Sequence, residues 1–294
     1  MPLEDFIIQV YCLVDDLFQE ITKDICLRKR GPKPKLTDVE VITMEIVGEC
    51  LQLNGDANIW TYFKSHWLDW FPRMGDRTAF VRQSANLWKI KEKIQMRISA
   101  NHYDDLHLFD GFPIPLCHVR RYKQSTNELR AEGAVGYCAS KDEYYFGFTG
   151  NVLITASGCI KGFVLTPANI DERDVLPEII GHIKGLVFAD KGLIRPELTE
   201  DLKQQGVNLQ TPLRCNMQDN RPKSFVRKLV SMRRLVETVI GQLVDRFNIQ
   251  KIQAKNLWHL ASKIGRKLLA HTVAFFLNCS LNPENPLQFE RIFI

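Results

Sequence analysis

Asp110, Asp190 and Glu237 are the residues whose type and placement point to chemistry. Each aspartate closes a short apolar-rich run, Leu106-His-Leu-Phe-Asp110 and Leu186-Val-Phe-Ala-Asp190, and is expected at the C-terminal end of a strand. In open α/β sheets that edge is where ligands bind. Either aspartate alone has a plain structural reading as a turn former or helix cap; two at one edge weigh against it. Glu237 falls in a helical pattern. At about 100° per residue, Leu229, Val230, Val236, Ile240, Leu243, Val244 and Phe247 form one apolar stripe, and Glu237 lies between Val230 and Val244 within it. A lone ionised carboxylate on a buried face is costly unless it is paired or binds metal. The structural alternative is a pair with Arg233, one turn earlier, in the weaker order for helix support. Three converging carboxylates with no Cys–His ligand set suggest hard oxygen coordination of Mg²⁺ or Mn²⁺. Two such ions about 3.5–4 Å apart clamp the attacking and leaving oxygens of an in-line phosphoryl transfer.

Charge names the substrate class. The 294 residues carry a net charge of +5, yet residues 201–270 hold 14 Lys and Arg against 4 Asp and Glu. That asymmetry suits a polyanion, and with the acids it points to a nucleic-acid backbone. A second basic cluster, Arg28, Lys29, Arg30, Lys33 and Lys35, reads equally well as a solvated linker. A glycosidase built on two of the carboxylates fits the acids but not this charge distribution.

The composition, 45% apolar and 25% charged, is that of a folded globular protein and excludes a disordered chain. No apolar run approaches the roughly 20 residues of a membrane helix, and Glu4 and Asp5 open the chain where a signal peptide would be basic. A soluble intracellular protein without membrane partners is the expectation. Eight cysteines lie far apart with no C-x-x-C pair, so neither a zinc site nor a disulfide framework is expected, and they read as buried apolar residues.

The elements that must position the acids follow from periodicity. Residues 1–101 read as helices. One amphipathic face runs from Phe6 to Ile21, and Thr37-Asp-Val-Glu40 makes a capping box for the next helix. An aromatic-rich stretch from Trp60 to Phe71 reads as core more readily than as a base-stacking surface, and a helix follows over 78–100. After Asn101 the pattern becomes strand-like: a strand ending at Asp110-Gly-Phe-Pro, a hairpin over 144–156 and 159–166, a helix over 172–183, and a short apolar strand before Asp190. Another helix, a strand over 207–210 and a long helix over 225–248 follow. This is an α/β order with a mixed sheet and parallel crossovers in its second half. A basic, half-apolar C-terminal helix, with Lys263, Arg266 and Lys267, is expected to cover that domain.

Asp110-x-Phe-Pro-x-Pro-x-Cys-His, Ala168-Asn-x-Asp-Glu-Arg-Asp174, Phe188-Ala-Asp-Lys-Gly192 and Arg233-Arg-x-x-Glu-Thr238 resemble the DDE transposases of bacterial insertion sequences, most closely the insertion-sequence 982 type. Gly31-Pro-x-Pro-Lys-Leu-Thr-Asp38, Arg77-Thr-x-Phe80 and Asn86-Leu87 agree. The resemblance implies an RNase H-like catalytic domain over 102–250, preceded by an all-helical N-terminal domain (1–101) for DNA-end recognition or dimerisation and followed by C-terminal helices (251–294). It implies that Asp110, Asp190 and Glu237 hold two Mg²⁺ or Mn²⁺ ions, cut DNA at the element's ends and join the freed 3′-hydroxyl to target DNA. His118, Arg120, Arg121, Lys123, Lys191, Arg233 and Arg234 are then the expected DNA contacts. The double-stranded DNA of the terminal repeats and target is the expected partner, a homodimer the expected synapsed state, and a prokaryotic, nucleoid-associated cytoplasm the expected location. The pattern departs where relatives carry a tyrosine seven before the glutamate and a lysine seven after: these are Val230 and Val244. An inactive DNA-binding relative and a stand-alone nuclease are the rival readings.

Overall fold

A computed structural model describes residues 1–124, 127–139, 141–181 and 183–293. In chain order the elements are α1 (Leu3–Thr22), α2 (Asp38–Cys50), α3 (Asp56–His66), α4 (Arg77–Asn86), α5 (Trp88–Ala100), β1 (Leu106–His118), α6 (Val119–Tyr122), β2 (Ala134–Cys138), β3 (Glu143–Thr155), β4 (Ile160–Pro167), α7 (Glu172–Ile180), β5 (Gly185–Phe188), α8 (Pro196–Gln204), β6 (Val207–Gln210), α9 (Lys223–Gly241) and α10 (Leu257–Leu281). They form two compact units, one of Met1–Ser99 with Leu243–Ile294, the other of Ala100–Gln242.

In the helical unit the expected capping box opens α2. The Thr37 hydroxyl accepts the Glu40 N–H at 3.1 Å, and Glu40 accepts the Thr37 N–H at 2.6 Å. The aromatic stretch packs edge to face, Phe63 on Phe71 at 5.2 Å between ring centroids, and Phe63 is fully buried. One helix was expected over 78–100, but the chain bends at Leu87, whose N–H goes to Ser84 O, and two helices result. The C-terminal helix also departs from expectation. Expected with the α/β domain, α10 belongs to the helical unit, where it packs against α2 and α4. Its cations explain why: Arg266, 1% exposed, pairs with Glu49 (2.6 Å), Glu45 (3.3 Å) and Asp56. Lys267 takes Glu49 at 2.7 Å, and Lys91 of α5 takes Glu45 at 3.0 Å. Cys12, Cys26 and Cys215 are exposed, unlike the buried cysteines the composition suggested.

The α/β unit is built on a six-stranded mixed sheet. Its main path runs β2-β3-β1-β5-β6, with β4 pairing β3. β1 is antiparallel to β3 and parallel to β5, and β5 is parallel to β6. The hairpin of β3 and β4 lies where the alternation put it. Strand β2 escaped the sequence reading. So did the length of β1, which runs through Gly111, Pro113 and Pro115 to His118.

Pairing explains those prolines. β5 meets β1 only at Leu106–Leu108, so beyond them that edge of β1 is open. The Gly111 N–H turns to its neighbour's carboxylate, Asp110 Oδ1, at 2.9 Å rather than to β3. Pro113 and Pro115 share Gly111's parity, so each proline nitrogen lies on the open edge, where a missing donor breaks no ladder. On one sheet face, α7 and α8 bury Leu176, Ile179, Leu198 and Leu202 against Phe109, Leu153 and Val187. The helix expected over 225–248 is α9 as far as Gly241 and continues as a π turn, Gln242–Arg246.

Candidate active site

The site is a gap in the sheet made by the early departure of β5. In the parallel register Leu108 pairs with Phe188, so Asp110 and Asp190 each lie two residues further along their chains. Asp110 is therefore not the end of its strand, as the sequence suggested; it sits within β1 where its parallel neighbour stops. Asp190 does end its run, at the start of a 3₁₀ turn, Lys191–Leu193. Its carboxylate caps nothing there and lies 3.1 Å from the Arg233 guanidinium of α9. Neither aspartate has the turn-forming or capping role that was its structural alternative.

Burial pushes Asp110 up to about 6, with the negative charges of Asp190 and Glu237 adding to the rise and Arg233 and the Gly111 N–H opposing it. These four side chains thus share one electrostatic neighbourhood. Glu237 reaches it from an unexpected direction. The buried side of α9 is Leu229, Val236 and Val239, whereas Glu237 is exposed and Val230 is 50% exposed. On the helical wheel Glu237 stands about 110° round from that buried side, so it lies on the uncovered margin of the apolar stripe that singled it out, beside exposed Val230. Arg233, one turn earlier on the same flank, pairs with Asp190 and not with Glu237.

A fourth carboxylate, which the sequence reading did not single out, joins them. Burial raises Glu172, at the start of α7, to about 7, and the charges of Asp110, Asp190 and Asp171 add to the rise. Its sequence signal was its place in Ala168-Asn-x-Asp-Glu-Arg-Asp174, one of the runs that carry the resemblance, which by itself looks like any acidic first helical turn.

The remaining expected contacts are dispersed. His118 lies eight residues past Asp110, about 26 Å along an extended strand. It caps the short α6, accepting the Arg120 N–H at 3.2 Å, and its ring is 3.6 Å from Glu143. Arg120, Arg121 and Lys123 are exposed there, on a strand end and one helical turn rather than a loop. Lys191 and Arg234 are exposed near the acids, Lys191 directly after Asp190 and Arg234 directly after Arg233.

Among the described residues, no three Asp, Glu, His or Cys side chains are close enough together to hold a metal ion. The donor set nevertheless suits a hard divalent cation. Among the described residues it consists of carboxylate oxygens that raise one another's proton affinity, with the Arg233 guanidinium beside Asp190.

Comparison with known proteins supplies the class. A family described as "Transposase DDE domain" matches residues 100–257, more than half the chain. The chain belongs to the DDE transposase family, whose members are DNA-cleaving and DNA-transferring enzymes. Among solved structures it is similar to "Cryo-EM structure of piggyBac transposase synaptic complex with hairpin DNA (SNHP)", at a TM-score of 0.49 and 11% identity, covering 97% of this chain and 76% of that one. No curated protein matches.

Proposed function

We propose that this protein is a working transposase of a bacterial insertion sequence, of the 982 type, which cuts DNA at its element's ends and joins the 3′-hydroxyl to target DNA. The observation that carries this reading is the parallel β1–β5 register that sets Asp110 beside Asp190, with Arg233 of the Glu237-bearing α9 against Asp190, inside the segment that matches the DDE domain. The strand order supports an RNase H-like layout: β4-β3-β1-β5-β6, with β3 antiparallel to both β4 and β1 and with β1, β5 and β6 parallel. In this reading the helical unit recognises the terminal repeats or pairs protomers. The chain is cytoplasmic and nucleoid-associated; no helix among the described residues is long and apolar enough to cross a membrane.

Asp110, Asp190 and Glu237 would hold Mg²⁺ or Mn²⁺, two ions in the full complement, which supply Lewis-acid stabilisation of the attacking and leaving oxygens. The protein's own part is to bring three anionic side chains to the open edge of β1 and to balance them with Arg233. A cation held by Asp190 would repel the Arg233 guanidinium, which lies 3.1 Å from Asp190 Oδ1, and so favour its release. The released guanidinium then becomes available to a DNA phosphate, beside Arg234 and Lys191, where a planar fork matches two phosphate oxygens.

The test uses purified full-length protein, Mg²⁺ or Mn²⁺, and a labelled duplex carrying an element end with its flank. Cleavage and strand transfer are expected from the native chain. Glu237→Gln is expected to lower cleavage at least a hundredfold with DNA affinity changed less than threefold, because neutralising one exposed acid hardly alters the basic surface. Equal cleavage by that variant would sink the site. Binding without cleavage by the native chain would favour the inactive relative, and cleavage without joining the stand-alone nuclease.

A further inference from the structure

Glu172 has an odd environment for an acid. Its neighbours Asp171 and Asp174 are both matched with cations: Arg173 binds Asp171, and Arg195 lies 2.6 Å from Asp174 and 3.8 Å from Asp171. Glu172 lies between them in sequence, half-buried, and among the described residues its carboxylate makes no ion pair or hydrogen bond. It rests against β1 at Gly111, the residue after Asp110, so closely that a Cβ there would overlap its Oε1. A second oxygen points to the same spot. Asn151, fully buried, stands opposite Gly111 in the β1–β3 register. Its amide nitrogen donates to Val164 O at 3.3 Å and Thr166 Oγ1 at 3.2 Å, while its Oδ1 has no hydrogen-bond partner and lies 3.4 Å from that Cβ position.

Unmatched oxygens, two of them on different elements and one wholly buried, are costly to gather without a donor or a cation. The protein donors at that spot are already occupied: the Gly111 N–H by Asp110 and the Asn151 amide nitrogen by β4. We propose that Glu172 is a fourth carboxylate of the active site and a ligand of its divalent cation, reaching the open edge of β1 from the α7 side while Asp110 reaches it from within the strand. Alternate β residues face opposite sides of a sheet. Asp110 and the Gly111–Glu172 contact therefore flank the edge from its two faces, with Asp190 just beyond the end of β5. The inference rests on the phosphoryl-transfer reading of this site, but its test does not.

Mn²⁺ alone is titrated into the full-length protein without DNA, and free ion is followed by electron paramagnetic resonance. Glu172→Gln is expected to weaken Mn²⁺ binding on the order of tenfold or more, in the range that loss of a metal-supporting group costs. Gly111→Ala should do nearly the same, because its methyl displaces the flexible end of Glu172 without removing the charge. Glu178→Gln, an exposed change on the same helix, should bind as the native chain does, and Glu172→Asp should recover part of the loss. Native affinity in both Glu172→Gln and Gly111→Ala would overturn the proposal, as would a native chain that binds no Mn²⁺. If Asp110→Asn loses Mn²⁺ and Glu172→Gln does not, the site stands and Glu172 leaves it. If Glu172→Gln does lose Mn²⁺ but the native chain never cuts DNA, the ligand stands and the transposase reading falls.

Discussion

Asp110 is held where ionisation works against folding. Its carboxyl titrates near 6 in the folded chain against an ordinary 3.8, so between about pH 4 and 6 the folded state keeps a proton that the unfolded state has released. Stability therefore falls as pH rises through that window and levels off above it. Glu172 adds the same trend up to about 7. Asp110→Asn removes the unfavourable charge and is expected to raise the thermal midpoint at pH 8 by on the order of a few degrees. At pH 4 it should match the native chain, and calorimetry at the two pH values checks both. A midpoint at pH 8 no higher than native would contradict the burial described here. The two aspartates were legible in the sequence because each ends or interrupts an apolar run. Glu172 was not, since what sets it apart is the early departure of β5 and a glycine on another strand. Glu237 was singled out for a burial it does not have: a helical wheel shows which residues share a face, not which part of that face a neighbour covers.

At the scale of elements, the charge pattern misled in an instructive way. The basic excess over 201–270 looked like one polyanion-binding surface, but it is divided between two units. In α10, Arg266 and Lys267 are buried against Glu45 and Glu49 of α2, and Lys263 lies 3.4 Å from Asp56 of α3. Sequence counts cannot see this, because the matching acids lie some two hundred residues earlier. The nucleic-acid argument consequently rests on α9 and its neighbours, where Arg227, Lys228 and Arg234 are exposed. Arg266→Met is expected to destabilise the helical unit by roughly 3–5 kcal/mol, the cost of leaving buried acids without their partner. Arg266→Lys should recover only part, since one ammonium cannot span three carboxylates as a guanidinium fork does. Urea unfolding followed by helical circular dichroism measures both, and a loss below about 1 kcal/mol for the methionine variant would mean the network contributes little.

For the whole molecule, the order of elements was legible where periodicity was long or strands alternated, and it failed where contacts decide. β2, the tail of β1 and the bend at Leu87 all depend on partners that local sequence does not name. The division into units was hidden for the same reason: the helical unit is discontinuous, its two segments separated by the whole of 100–242. Residues 1–99 made alone are therefore expected to lack a cooperative transition, with Glu45 and Glu49 deprived of Arg266 and Lys267. Supplying 243–294 as a separate peptide should restore one. Cooperative unfolding of 1–99 by itself, seen by circular dichroism, would show that α10 is dispensable.

That discontinuity also orders events on the ribosome. Translation adds roughly 5–20 residues per second, so the α/β unit is complete at Gln242 several seconds before the tail of α10 has emerged. The nascent chain would thus assemble its acidic site first, while α2 waits with its buried acids still open to water. Whatever the helical unit does becomes possible only once α10 has been made.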